Sequence, residues 1–482
     1  MRSFLLLAVF STSFLHAATY SVDCHQKEWS TLARLRETRF APGDRILLRS
    51  GCAWKGSLSV QGSGSPGAPI IIDRYGKGPL PRIDGGGEVE DTLLIKNQQW
   101  IEVRNLEITN QGSKLAVRRG VHVWLDNYGP ASHISVSGLY VHDVNGINSR
   151  KDNGGIIFTT SGASKPSRFE GLTIERNIIW KVDRSAIAAQ SAFVDRRKWL
   201  PSLQVIIRDN YVEDIGGDGI VPWASDGALV EHNIAKDCNK RAESYNAGIW
   251  PWSCDNTMLR WNEAMFTRTL KDGQGFDSDY NSRNTSFEYN YSHDNEGGFL
   301  LICTPKHADP ASMITNLGVE VRYNISRNDK TRTFHIPGPV ENIRVHDNAI
   351  YVAAADTVNL VQFSDWGGYA SDVEFKANQF LVEGVGRYGH EAKRFENGDF
   401  EIAPGFGPAR NVRFTGNTYT GRQTDRPQDD QALTKPGRIV KNWNSPAFNP
   451  AKPGTFDKYL KQHRAWMLKL MRQQFGTAAV KP

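Results

Sequence analysis

From residue 171 onward, apolar and polar positions alternate in short runs, and each run ends in an Asn followed by another apolar pair. The phrases read TIERNII around Asn177, VIIRDNYV around Asn210, ALVEHNIA around Asn233 and MLRWNEA around Asn262. They continue through Asn290, Asn324, Asn348, Asn378 and Asn417, at successive spacings of 33, 23, 29, 28, 34, 24, 30 and 39 residues. Period-2 alternation predicts strands, and a fixed residue recurring at such intervals predicts a solenoid whose stacked turns share one core. The recurrent Asn is then a ladder at a corner, where its amide satisfies backbone groups that leave the sheet.

A second strand follows each Asn and aligns by a Gly-apolar start. The rows include Gly219-Ile220-Val221-Pro222-Trp223, Gly248-Ile249-Trp250-Pro251-Trp252, Gly275-Phe276-Asp277-Ser278-Asp279 and Gly298-Phe299-Leu300-Leu301-Ile302. Rows at Gly120 and Gly155 precede them, and Thr333-Phe334-His335 continues them. The second column is apolar and should face inward, which stacks Ile220, Ile249, Phe276 and Phe299. Side chains alternate along a strand, so the third and fifth columns should face outward. Those columns hold His122, Trp124, Val221, Trp223, Trp250, Trp252, Asp277, Asp279 and His335. Exposed tryptophans beside paired carboxylates are not what a solvated wall needs.

The segment PGDRILLRSGCAWKGSLSVQGSGSPGAPIIIDRYGKGPLPRIDG, with the Asn repeats, resembles the right-handed parallel β-helix proteins among polysaccharide lyases and glycoside hydrolases. The likeness covers roughly residues 19–420, and GIWPWSCDN, DGQGFDSDYN and YSHDNEGGFLLIC are similar to phrases of fucosidase- or xylanase-like β-helix hydrolases. It implies an all-β chain, a right-handed parallel β-helix with an N-terminal cap and a C-terminal helical tail. The motif series of polygalacturonases and the Arg-x-Pro-x-x-Arg of pectate lyases are missing from the sequence, so residue roles do not transfer from either. The expected divisions are a signal peptide at 1–18, the cap and first turns at 19–110, the grooved β-helix at 111–421, and an extension at 422–482. In that extension Phe456, Tyr459, Leu460, Trp466, Leu470 and Phe475 approximate one helical face.

The first 18 residues have the charged start, apolar run and small-residue end of a secretory signal, so a secreted or periplasmic location is expected. No later segment is apolar enough to span a bilayer. Cys24 and Cys52 are placed to join the two ends of the cap, and the pairing of Cys238, Cys254 and Cys303 stays open. The net charge of +6 adds only a mild preference for an acidic partner, because part of it lies in the tail.

The chemistry follows from the outward columns. Trp223, Trp250 and Trp252, with His335 at the flank, suit a polysaccharide or oligosaccharide, whose pyranose faces pack on indoles. Export and the acidic centre argue against nucleic acid. Asp277 and Asp279, two apart on one face, are spaced for the carboxyl pair of a glycosidase. Asp218, Lys271, Asp272, His293, Asp294 and Glu296 are expected at the same edge, with Asp218 or Glu296 as substitute carboxylate and His293 as a candidate base. The leading expectation is therefore a glycoside hydrolase. A lyase would instead use Lys271 or His293 as base and a cation against a uronate; a non-catalytic glycan-binding protein would need only the tryptophans. Asp-Xaa-Asp also reads as a calcium ligand pair, and no other cofactor is indicated. Oligomeric state is not encoded in these patterns.

Overall fold

The computed structural model describes residues 17–26, 29–269, 271–395 and 400–433. Short strands joined by corners coil into a parallel β-helix. One face is a 15-stranded sheet. Each turn adds one strand to it and one or two strands to the other faces; a representative turn runs Met258–Arg260, Glu263–Met265, Gln274–Ser278. Among the described residues successive turns pair in parallel, and one antiparallel pair joins Gln379–Arg394 to Phe400–Ala403 near the C-terminal end. The right-handed parallel β-helix expected from the sequence is thus the fold of the chain. At its N-terminal end a short helix, Leu32–Glu37, buries Leu32 and Leu35, and a Cys24–Cys52 disulfide fastens the cap. The expected signal peptide and C-terminal helix lie outside the described residues, apart from positions 17 and 18.

The Asn ladder explains how the corners survive burial. Asn262 donates from Nδ2 to Val230 O (2.9 Å) and Asn290 Oδ1 (3.0 Å), while its own Oδ1 accepts from Asn233 N and Nδ2, both at 3.0 Å. The same pattern runs from Asn177 to Asn417. Each residue just before an Asn turns the corner in the left-handed region, as Trp261 (φ 57°) and Tyr289 (φ 56°) do. That conformation is unfavourable for a bulky side chain, and the ladder's hydrogen bonds hold it in place.

Inside the coil, Val121, Ile156, Ile187, Ile220, Ile249, Phe276, Leu300, Phe334 and Val361 form one inward column, all fully buried. This corrects one row of the sequence alignment. Phe276 pairs with Leu300 rather than Phe299, because Gly298 lies opposite Gln274 and not Gly275. Gly298 has φ +125°, and a Cβ there would meet the Arg332 carbonyl oxygen at 1.6 Å. It is a glycine for its backbone conformation and does not continue the column of Gly219, Gly248 and Gly275. Phe299 remains buried, with its ring centroid 6.0 Å from that of Phe276.

Candidate active site

On the outside of the same strands the column His122, Ile157, Ala188, Val221, Trp250, Asp277, Leu301, His335, Gln362 advances one residue per turn. Two positions along each strand, Gln190, Trp223, Trp252, Asp279 and Cys303 form a second column. Asp277 and Asp279 share one face, as alternation requires. One carboxylate oxygen of each and Cys303 Sγ lie within 4.8 Å of one another. The segment 192–201 rises on one side and is tied to 304–316 by the hydrogen bond from Arg196 N to Ser312 O (2.7 Å). The 239–246 loop stands on the other side, bridged at Asn246 to Asp272.

The tryptophans point outward but are not an open platform, which corrects the expectation of exposed rings. Trp250 and Trp252 are buried in an apolar cluster with Ile157, Ala188, Val221 and Ala247, against which Val194, Trp223, Tyr280 and Met313 pack. Trp223 and Trp252 meet edge to face at 4.4 Å. Trp250 donates its indole N–H to Asp218 Oδ1 (3.0 Å), and Lys151 Nζ sits 4.4 Å from its ring centre. Trp124 is likewise covered, by Lys96 at 3.7 Å. The alternation gave the direction of these side chains; it carried no information about the loops that fold over them.

Asp218 is a buried anchor: its carboxylate lies 3.1 Å from Arg184, which is fully buried, and 3.3 Å from Lys151. Lys271 is exposed and reaches the Glu243 carbonyl (3.4 Å). Glu296 is turned away, accepting from Thr269 N–H (2.5 Å) and facing Arg268 (3.4 Å). His293 is also elsewhere. Its strand, Tyr291–His293, pairs with Glu263–Met265 across the corner, and its ring bonds Glu263 (3.1 Å) and Asp294 (2.7 Å). Burial opposes its charge, but the two carboxylates win and raise its pKa to about 9. That makes it an ion-paired residue rather than a free base. His335 is closer than its sequence distance suggested, two turns from Asp277 in the same column. Burial and the adjacent Arg332 push its pKa well down, leaving a neutral imidazole between Arg332 Nη1 (3.3 Å) and Ser364 Oγ (2.9 Å).

Three carboxyls are brought together: Asp272, Asp277 and Asp279. Asp272 is half-buried; burial first and the charge of Asp279 second raise its pKa to about 7, against Arg332 and Lys151. Asp277 is 4% exposed, and burial with both neighbouring carboxyls pushes it well up. Asp279 is half-buried and raised to about 6 by burial. It is held down by the Cys303 thiol, which donates to its Oδ1 (3.1 Å), by the Tyr280 N–H (2.9 Å), and by Lys151 and His307. Like charges this close cannot all ionise, so the site holds both a proton and an anion near neutral pH. Around them, Asp277 Oδ1, both amide atoms of Gln274, Trp223 Nε1 and Gln190 Nε2 are buried without a hydrogen-bond partner among the described residues. Natural proteins leave few such groups unpaired, so the wall behind the carboxyls is unusually polar for a buried surface. Sequence reasoning placed Asp272 nearby without a role and missed Lys151, Gln274 and Cys303.

The charged hollows on the 15-stranded face are different in kind. One is lined by Glu102, Arg104, Glu175 and Arg208, which pair with one another along the sheet.

No protein-family profile matches the chain. It is 27% identical over 429 residues to a lacto-N-biosidase of Bifidobacterium longum subsp. longum, covering 68% of this chain and 26% of that protein. Two crystal structures of the GH136 lacto-N-biosidase from Eubacterium ramulus superpose with a TM-score of 0.62 each. The native form is 28% identical and covers 70% of this chain and 64% of that one. The selenomethionine form is 26% identical, with 77% and 67% covered. The chain thus spans about a quarter of the length of its curated relative, and it is similar in sequence and fold to these lacto-N-biosidases.

Proposed function

We propose that this chain is an exported glycoside hydrolase that cleaves an oligosaccharide, with Asp272 and Asp279 as the reacting carboxyls and Asp277 positioning them. The observation that carries this reading is the cluster of three carboxyls among unpaired buried polar groups on the outward face. Its likeness to lacto-N-biosidases supports the same chemistry, and the Cys24–Cys52 disulfide supports export to an oxidising compartment.

Glycosidic cleavage needs one carboxylic acid to protonate the leaving oxygen and one carboxylate at the anomeric side. Asp272 and Asp279 are the two members that remain partly open. Asp272, with a pKa of about 7, keeps its proton at neutral pH and fits the acid. Asp279 receives hydrogen bonds from Cys303 and Tyr280 that favour the anion, so it fits the carboxylate. Asp277, deeper and protonated between them, is the alternative acid that the strand alternation first suggests. Lys151 replaces the exposed tryptophan face as the group presented at the rim beside Trp250.

The test is hydrolysis of an oligosaccharide panel that includes lacto-N-biosidase substrates, with products weighed by mass. Asp272→Asn and Asp279→Asn should each lower turnover by about 10² to 10⁴, the range for losing an acid or base, and release saturated sugars. Asp277→Asn as the most damaging of the three would return the acid role to Asp277. Unsaturated products would move the reaction to a lyase, and glycan binding without any cleavage would leave a binding protein.

A further inference from the structure

The contact between Cys303 and the carboxyl cluster has no part in that chemistry beyond one hydrogen bond, yet it assembles an unusual donor set. Cys303 Sγ, one oxygen of Asp277 and one of Asp279 lie within 4.8 Å of one another. Asp277 Oδ1 is buried and without a partner, on a side chain only 4% exposed. Around a tetrahedral zinc ion with bonds of about 2.0 to 2.3 Å, donor atoms stand roughly 3.5 Å apart. Cys303 Sγ and Asp279 Oδ1 are already 3.1 Å apart, and no pair in the set exceeds 4.8 Å. The other free thiols are built differently. Cys254 lies against the backbone carbonyls of Trp252 (3.2 Å) and Pro222 (3.4 Å), and Cys238 has the Lys236 carbonyl at 3.9 Å.

The geometry points to a binding site for a thiophilic divalent cation, Zn²⁺ in the first instance, made by Cys303 with Asp277 and Asp279. A single thiolate and two carboxylates suit a soft or borderline ion with few ligands, whereas calcium takes six to eight oxygens. Binding replaces the protons of the Cys303 thiol and the Asp277 carboxyl by the metal: the S–H and O–H bonds break, S–Zn and O–Zn bonds form, and both protons leave to solvent with no change of oxidation state. Because the ion occupies Asp279, and on the hydrolase reading above that carboxylate must meet the substrate, the cation is a reversible inhibitor. Lys151 contributes a positive charge to the same cluster and opposes the ion.

The experiment is titration of the full-length chain with Co²⁺ as a spectroscopic probe and with Zn²⁺ by equilibrium dialysis, alongside hydrolysis. One equivalent of Co²⁺ should give a near-ultraviolet thiolate-to-cobalt band that Zn²⁺ abolishes. Cys303→Ser, which keeps a hydroxyl donor for Asp279, should lose the band and weaken Zn²⁺ binding at least tenfold. Cys238→Ser and Cys254→Ser should keep the band, and Lys151→Met should tighten binding. Absence of the band, or a band that survives Cys303→Ser, overturns the site. Activity should fall with Zn²⁺ occupancy and return with a chelator; full activity at saturating Zn²⁺ overturns the inhibitory role. The cobalt band reads the site even if the chain hydrolyses nothing, so failure of the site and failure of the hydrolase reading are distinguishable.

Discussion

Replacing Asp272 by Asn should make the protein more stable at alkaline pH while disabling the site. In the folded chain the Asp272 carboxyl is raised from 3.8 to about 7, so the native state holds its proton more tightly than the unfolded chain does. Below about pH 4 both states are protonated and the residue is neutral to stability. As pH rises from 4 to 7 the unfolded chain ionises first, and native stability falls; above 7 the full cost is present. About three pH units correspond to about 4 kcal/mol, of which about 2 to 3 kcal/mol accrues between pH 5 and pH 8. Asp272→Asn preserves the shape and removes the titration. Urea unfolding followed by tryptophan fluorescence should therefore show the variant gaining about 2 to 3 kcal/mol on the wild type between those two pH values. The same proton sets the rate: wild-type turnover should fall about fivefold from pH 6 to pH 8, because the loss of the Asp272 acid form outweighs the completed ionisation of Asp279. Parallel pH dependences of stability in the two proteins, within about 0.5 kcal/mol, would refute a raised Asp272 and with it the acid assignment.

Asn262→Ala leaves the Val230 carbonyl and the Asn233 N–H unpaired in the core and should cost about 2 to 5 kcal/mol by denaturant midpoint. Trp250→Phe keeps an aromatic ring, though a smaller one, and removes the donor to Asp218; it should cost about 1 to 3 kcal/mol and lower kcat, whereas a change confined to KM would make Trp250 a sugar contact after all. Reducing Cys24–Cys52, a link between residues 28 apart, should lower the unfolding free energy by about 3.5 kcal/mol, read as a drop in Tm with reductant.

The coil was legible wherever one residue did one job. Asn at a corner and Ile220, Ile249 and Phe276 facing inward each follow from a period that chemistry enforces. Legibility failed where one residue type serves two ends, as at Gly298, which matches the glycine column in sequence but exists for its left-handed backbone. Asp277 and Asp279 could be placed on one face because alternation is local. His293 was misplaced because a corner, invisible in the pattern, puts its strand on a different face of the turn from that of Asp277. Lys151 was unreadable for a different reason: it enters 126 residues before Asp277 and reaches its neighbours across several turns. The burial of Trp250 and Trp252 depends on how Val194 and Met313 drape over them, which no strand period encodes.

Trp250, Asp277, Leu301 and His335 come from consecutive turns, so the outer surface is ruled at the strand spacing of about 4.8 Å. A sugar unit in an extended chain is of comparable length. Every turn shows the interior nearly the same apolar column, so one turn can be exchanged, added or lost without redesigning the core. On the hydrolase reading proposed above, changes in which saccharide such a coil accepts should then come in whole-turn steps, each shifting the register between cutting point and binding positions by one sugar. Inheritance by whole turns would let related coils diverge in substrate length while their corners, and the Asn at each, stay fixed.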